Sequence, residues 1–212
     1  MVDTKLHIPN KNVFINCPYD DEYKNMMYRI IFLVAKFGCK PYIAAGNSES
    51  SDRMTKILSM IKHSFIGIHD ISYMEHTPEK PLARFNMPFE LGIDFAHKYY
   101  CHNGKKRLLI LQKKQFLSQK VLSDLSGVDI EAHNGKDEEL IKIIRNFFCS
   151  IFSLSNVVSS TKLNDEFFLF NGWLRNRLLA LGFSQNEYLN EPTLSEFIIY
   201  TLEYVNSVGT HY

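Results

Sequence analysis

Short apolar runs alternate along the chain with stripes of apolar residues at helical spacing. The runs predict five strands, at residues 12–16, 40–45, 65–71, 106–111 and 128–132. The stripes predict helices over residues 22–37, from Ser51 or Asp52 to Ile61, over 86–100 and over 138–152, with a helical turn at 121–125. Strands and helices therefore alternate from residue 12 to residue 152.

This alternation predicts an α/β domain at residues 1–152, with a parallel sheet covered by helices on both faces. Five strands with short connections favour a flavodoxin-like winding, for which we expect strand order 2-1-3-4-5. In that order the first and third strands are neighbours. The loops that follow them, at 17–23 and 72–90, then face each other across one crevice, where α/β sheets bind ligands.

The chain after residue 152 has a different pattern. The segment 153–164 is rich in serine and lacks helical spacing, so we interpret it as a linker. Residues 165–212 predict a helical C-terminal extension, with one helix over 167–181 and another from Thr193 to Tyr204. Thr193 and Glu196 have the spacing of a capping box at the start of the second helix.

Composition narrows the class of protein. Of the 212 residues, 45% are hydrophobic and 22% are charged, which is typical of a globular protein with a substantial core. The net charge of +1 gives no field that would attract nucleic acid. The sequence contains no membrane-length apolar run, no secretion signal and no metal-like cysteine spacing. We therefore expect a cytoplasmic protein without membrane, nucleic-acid or metal partners.

The segment 65–100 carries the strongest candidate chemistry. Asp70 ends the third predicted strand, and Glu90 falls in the first turn of the helix that opens at Asn86. Enzymes that cleave a bond at an anomeric carbon through an oxocarbenium-like state commonly use a pair of carboxylates. The alternatives are structural: Asp70 only caps the turn at Ser72, and Glu90 only accepts backbone donors at the helix start.

Other side chains near the same crevice are candidates for binding a substrate. They are Asn16, Cys17, Tyr19, Arg53, Arg84 and Asn86. Tyr19 could stack on a base, and Asn86 could orient a ribose or an amide group. The two arginines could contact phosphates or a carboxylate, although solvated surface roles fit them about as well.

Several well-known catalytic motifs are absent from the sequence. It contains no G-x-x-x-x-G-K-[ST] loop, which argues against a P-loop NTPase, and no G-x-G-x-x-G after the first strand, which argues against a standard NAD(P) redox enzyme. The motifs G-x-S-x-G and H-E-x-x-H are also missing. We expect no bound cofactor, with NAD considered only as a substrate.

The predicted α/β domain contains five distinctive segments: VFINCPYDDEY, FIGIHDIS, RFNMPFELGIDFAHK, KRLLIL and SDLSGVDIEAH. In combination they resemble a group of bacterial proteins related to TIR domains and nucleoside 2-deoxyribosyltransferases. The most specific part is Asn-Met-Pro-Phe-Glu-Leu-Gly after a strand that ends in His-Asp. The sequence departs from the TIR pattern after the first strand, where Cys-Pro-Tyr replaces a hydroxyl-rich segment.

The resemblance implies a flavodoxin-like sheet and cleavage of N-glycosidic bonds. Glu90, the first residue of Glu-Leu-Gly, matches the Glu of the family's E-x-G pattern, which attacks an anomeric carbon or breaks the ribose–nicotinamide bond of NAD. Asp70 is similar to an acid of the deoxyribosyltransferase pocket, and Asn86 and Tyr19 match positions that contact substrate. Many bacterial relatives act in phage defence, by depleting NAD or by making a nucleotide signal.

Three functions are open on this basis. The leading hypothesis is an NAD glycohydrolase or cyclase, with Glu90 as its central carboxylate. The second is a nucleoside 2-deoxyribosyltransferase-like enzyme, and the third is a non-catalytic nucleotide-sensing or interaction module. The intact Glu-x-Gly favours an enzyme. Because TIR-like cleavage often requires assembly, we expect a homo-oligomer or an assembly with a partner protein.

Overall fold

One parallel sheet organises the chain. The computed structural model describes residues 9–44, 53–75, 83–125, 127–184, 187–190 and 192–209. Its strands are β1 (Asn12–Asn16), β2 (Lys40–Ile43), β3 (Ile66–Asp70), β4 (Arg107–Gln112) and β5 (Ile130–Ala132). They are all parallel and lie in the order β2-β1-β3-β4-β5, so the predicted flavodoxin-like winding is confirmed.

Helices connect the strands and continue past the last one. They are α1 (Lys24–Lys36), α2 (Arg53–His63), α3 (Asn86–His102), α4 (Leu117–Val121), α5 (Asp137–Phe152), α6 (Ser160–Ala180), α7 (Glu187–Asn190) and α8 (Leu194–Val208). Short 3-10 turns occupy Ser72–Met74 and Ser123–Leu125. Three sequence assignments, for Ala45, Ser51 and Asp52, lie outside the described residues.

The side chains of β1 show why helices cover both faces of the sheet. Val13 and Ile15 point to the face covered by α1 and α5, and Phe14 points to the opposite face. There it packs against Ile57 and Ile61 of α2. Because side chains alternate along a strand, a fully apolar strand needs cover on both sides.

The described part of the chain contains no helix with the length and apolar character to cross a membrane.

The C-terminal helices pack against α1 and enlarge its core. Helix α6 begins at Ser160, inside the segment predicted as a linker and well before the predicted start at residue 167. The hydroxyl of Ser159 accepts a hydrogen bond from the amide of Lys162 and caps this helix. At α8 the capping box of Thr193 and Glu196 is present, as predicted. Both helices contribute buried side chains to the cluster that contains α1.

Candidate functional site

A cleft of about 330 Å³ opens where β1 and β2 end and α3 begins. It brings together the two loops that the strand order places opposite each other. Its lining includes every predicted site residue except Asp70, namely Asn16, Cys17, Tyr19, Arg53, Arg84, Asn86 and Glu90. The position agrees with the general rule that α/β sheets bind ligands beyond the carboxyl ends of their strands.

Glu90 lies in the cleft as the fifth residue of α3, just past the first turn, in which it was predicted. Pro88 fits the first turn because its missing N–H would have no partner within the helix there. The Glu90 side chain is largely buried, and among the described residues none donates a hydrogen bond to its carboxylate. Burial raises the pKa of Glu90, and the nearby charge of Arg53 acts in the opposite direction.

Asp70 lies outside the cleft, in a fully buried hydrogen-bonded position. Its carboxylate accepts hydrogen bonds from the Ser72 amide at 2.9 Å, the Ser72 hydroxyl and the Tyr23 hydroxyl, and His133 Nε2 lies 3.0 Å away. The Gly135 amide donates to His133 Nδ1, which leaves the ring proton on Nε2 facing Asp70. Burial raises the pKa of Asp70, but these donors outweigh it and leave the pKa lowered.

Among the described residues, the cleft is therefore lined by Glu90 and not by Asp70. Asp70 holds the turn after β3 to the start of α1 and to the loop after β5. These contacts match the alternative reading of Asp70 as a residue that caps the turn at Ser72. Its bonds to Tyr23 and His133 were missed, because both partners lie on distant parts of the chain.

Asn16 connects the end of β1 to the first turn of α3. Its amide nitrogen donates to the carbonyl of Met87 at 2.9 Å and contacts His69 Nδ1 at 3.1 Å. Asn16 is almost fully buried, and its amide nitrogen is already used by the protein. Asn16 therefore anchors α3 at Met87, three residues before Glu90. It also lines the cleft.

A buried polar network continues from Asn16 beneath the site. His69 Nε2 lies 2.9 Å from Asp94 Oδ2, and the other Asp94 oxygen forms an ion pair with Lys106. Lys106 also donates to the carbonyl of Ile61 at 2.8 Å. Burial raises the pKa of Asp94, but His69 and Lys106 outweigh it and leave the pKa lowered. Buried charges of this kind are stable only when paired and hydrogen-bonded.

The sequence patterns did not predict this network, although Gly67 in the third strand is a signal that could have indicated it. A Cβ atom at Gly67 would lie 2.6 Å from Asp94 Oδ2 and 2.8 Å from His69 Nε2. Only glycine leaves space for these two side chains to meet over the sheet. Asp94 follows Glu90 by four residues and lies on the same helix face, so the network fixes the helix that carries Glu90.

The remaining lining residues provide a thiol, an aromatic ring and two cations. Burial, together with the charges of Asp70 and Glu90, raises the pKa of Cys17 well above its usual range, so Cys17 is a neutral thiol and a poor nucleophile. Tyr19 is 55% exposed at the rim. Arg84 forms an ion pair with Asp20 at 3.1 Å, whereas Arg53 has no ion-pair partner in the described parts of the chain.

Within the described residues, no cluster of histidine, cysteine and acidic side chains has the arrangement of a metal site. The fold and the cleft define a flavodoxin-like α/β protein in which the described cleft lining contains one buried carboxylate, Glu90. No protein-family model, curated protein or solved structure matches the chain.

Proposed function

We propose that the chain acts on the N-glycosidic bond of a nucleotide, by a cleavage or a transfer reaction, with Glu90 facing the anomeric carbon. One observation carries this proposal: Glu90 is 7% exposed, and it is the sole carboxylate among the described residues that line the cleft. A carboxylate in this setting can stabilise or attack an oxocarbenium-like centre, because the low-dielectric surroundings strengthen its attraction for a developing positive charge.

A single carboxylate among the described lining residues favours a leaving group that needs no proton. When the bond between ribose C1′ and the ring nitrogen of a pyridinium breaks, its electrons neutralise the nitrogen, and the base departs as a neutral molecule. A purine or neutral pyrimidine leaves more easily when an acid protonates it. Because Asp70 lies outside the cleft, this chemistry supports an NAD-type substrate over a deoxyribosyltransferase substrate.

The rest of the cleft suits the other parts of such a substrate. Arg53 places a cation at the lining, where it can pair with a phosphate oxygen, and Arg84, also at the lining, is paired with Asp20. The exposed ring of Tyr19 can stack on a base, and the amide of Asn86 can bond ribose hydroxyls. The resemblance of the surrounding segments to TIR-like proteins supports the same bond type.

Product analysis tests the proposal. The purified chain would be incubated with NAD, nucleosides and deoxynucleoside monophosphates at high protein concentration, and the products separated by liquid chromatography–mass spectrometry. We expect release of nicotinamide, with kcat/KM lowered about 100-fold or more in Glu90→Gln, as for other lost transition-state contacts. NAD that binds without turnover would contradict catalysis and identify a sensing module.

Asp70→Asn is the informative comparison, because the same chemical change is made at the carboxylate outside the cleft. We expect it to destabilise the protein by about 3 kcal/mol, since its donors would lose a charged acceptor. The folded fraction should keep its activity within about tenfold. If folded Asp70→Asn were as inactive as Glu90→Gln, the reaction would use two carboxylates.

A further inference from the structure

A second cavity, of about 970 Å³, adjoins the Glu90 cleft on the side of β2. We call it the outer groove; it runs between α2 and the start of α8. The cleft and the outer groove share four lining residues: Tyr19, Ile43, Ala44 and Arg53. Arg53 is close enough to Glu90 to lower its pKa. One extended ligand can therefore reach from Glu90 past Arg53 into the outer groove.

One wall of the outer groove is a cationic face of α2. Its cations are Arg53 and Lys56, whose spacing of three residues places them on one side of the helix, and His63 also lines the groove. The described lining contains no acidic side chain. Neither Arg53 nor Lys56 has an ion-pair partner among the described residues, whereas Arg84, Lys106 and Lys136 each have one.

The start of α8 contributes neutral hydrogen-bond donors to the lining. The lining residues there are Thr193, Leu194 and Ser195. The capping box occupies the amides of Thr193 and Glu196, and the amides of Leu194 and Ser195 have no acceptor in the described part of the chain. The cations of α2 and these backbone donors of α8 together suit a group with several anionic oxygens.

We propose that the outer groove binds the phosphate groups of the substrate whose glycosidic end lies at Glu90. For the identity of the bound molecule, this inference rests on the proposed function. It narrows the substrate class to a nucleoside diphosphate derivative, such as a dinucleotide, whose diphosphate lies against Arg53 and Lys56. A riboside without phosphate would fill the cleft and leave the cationic face of α2 unused.

Kinetics on two substrates test this assignment with a matched pair of variants. Lys56→Glu reverses a charge in the outer groove, and Lys62→Glu makes the same change at an exposed lysine of α2 that does not line the groove. For NAD, we expect Lys56→Glu to raise KM about tenfold or more, the effect of losing a charge-assisted contact to phosphate. Lys62→Glu should match the natural chain, and neither variant should change KM for nicotinamide riboside.

The assignment would be overturned if the two variants changed KM for NAD equally. It would also be overturned if Lys56→Glu raised KM for nicotinamide riboside as much as KM for NAD. Binding of ADP-ribose, measured by calorimetry, separates this inference from the proposed function. One outcome is that the chain cleaves no substrate, while Lys56→Glu weakens ADP-ribose binding and Lys62→Glu does not. In that case the groove assignment stands and the proposed catalysis fails. If Glu90-dependent cleavage is unaffected by Lys56→Glu, catalysis stands and the groove assignment fails.

Inorganic pyrophosphate distinguishes a phosphate that belongs to the substrate from one that binds separately. Pyrophosphate should compete with ADP-ribose, and its binding should weaken in Lys56→Glu but not in Lys62→Glu. Pyrophosphate that binds together with ADP-ribose, without competition, would overturn the arrangement of one continuous substrate.

Discussion

At the scale of single residues, Glu90 combines burial with the lack of a hydrogen-bond donor from the described protein. Most buried carboxylates are satisfied, as Asp70 and Asp94 are here. Leaving one unsatisfied lowers the stability of the folded state, and such positions occur at sites where function requires them. The contrast between Glu90 and its two buried neighbours is therefore a physical reason to place the chemistry at Glu90.

The pH dependence of activity follows from the environment of Glu90. The carboxylate must be ionised to stabilise a cation, and burial raises its pKa. We therefore expect kcat/KM to fall as the pH is lowered, with a midpoint above the usual range of a glutamate. Because Arg53 lowers this pKa, Arg53→Met should move the midpoint to still higher pH.

Arg84→Met is the matched control for that experiment. Arg84 also lines the cleft, but it pairs with Asp20 and is not among the charges that shift the pKa of Glu90. Its removal should leave the midpoint in place. An NMR titration of the Glu90 carboxyl carbon provides the same comparison without any substrate, and equal midpoints in the two variants would contradict the role of Arg53.

Residue identities could be predicted from the sequence more easily than their partners. The loops after the first and third strands were sufficient to predict most of the cleft lining, because strand order brings them together. Asp70 and Asn16 were harder, because their donors and acceptors come from distant elements such as the segment after β5 and the first turn of α3. Pattern analysis detects periodicity along the chain, and it does not detect such tertiary contacts.

At the scale of secondary structure, α3 is held by its interior side. Asp94 meets His69 of β3 directly over Gly67, and Asn16 of β1 holds the carbonyl of Met87. These bonds attach α3 to neighbouring strands of the sheet. They restrict sliding and rotation of the helix, which would move Glu90 relative to a substrate.

A pair of glycine substitutions tests this attachment. Gly67→Ala places a Cβ within 2.6–2.8 Å of Asp94, His69 and Leu108, so we expect a loss of stability of about 1–3 kcal/mol. Gly92→Ala, on an open part of α3, meets no atom within 4 Å and should add up to about 1 kcal/mol through helix propensity.

Urea unfolding of both glycine variants provides the measurement. Gly67→Ala should also lower kcat/KM in the fraction that remains folded, because its clash displaces the side chains that hold α3. Equal stabilities for the two variants would show that the close contact over Gly67 has no energetic importance.

Element boundaries show where local patterns are sufficient. The bounds of β1 match the prediction residue for residue, because its apolar run ends sharply at Cys17-Pro18. The start of α6 was missed because the preceding segment is rich in serine, a residue that is typical of loops and also of N-caps. Ser159 is such a cap, and the helix continues without interruption to Ala180.

At the scale of the whole molecule, the C-terminal helices and the sheet share one apolar cluster. Phe170 of α6 stacks on Phe32 of α1, with ring centroids 5.4 Å apart, and contacts Tyr204 of α8 at 5.3 Å. Both phenylalanines are fully buried. Helix α1 is consequently apolar on its outer side as well as on the side that faces the sheet, and α6 and α8 cover this second surface.

Neighbouring residues of α6 provide a direct test of this packing. Phe170→Ala should destabilise the protein by about 3–5 kcal/mol, because it opens a cavity among three helices. Leu169→Ala, at a position that is 62% exposed, should change stability by no more than about 0.5 kcal/mol. Chemical denaturation should show one cooperative transition for both variants. A small effect of Phe170→Ala would contradict a core shared with the C-terminal helices.

Glu90 and Asp94 lie one turn apart on α3, so the proposed reactive group and its anchor belong to the same helix. This has a consequence for protein engineering. A designer who copied the cleft into another parallel sheet would have to transfer Gly67, His69 and Lys106 with the helix, because Asp94 needs all three. A graft of Glu90 alone would transfer the carboxylate without the contacts that hold its helix in place.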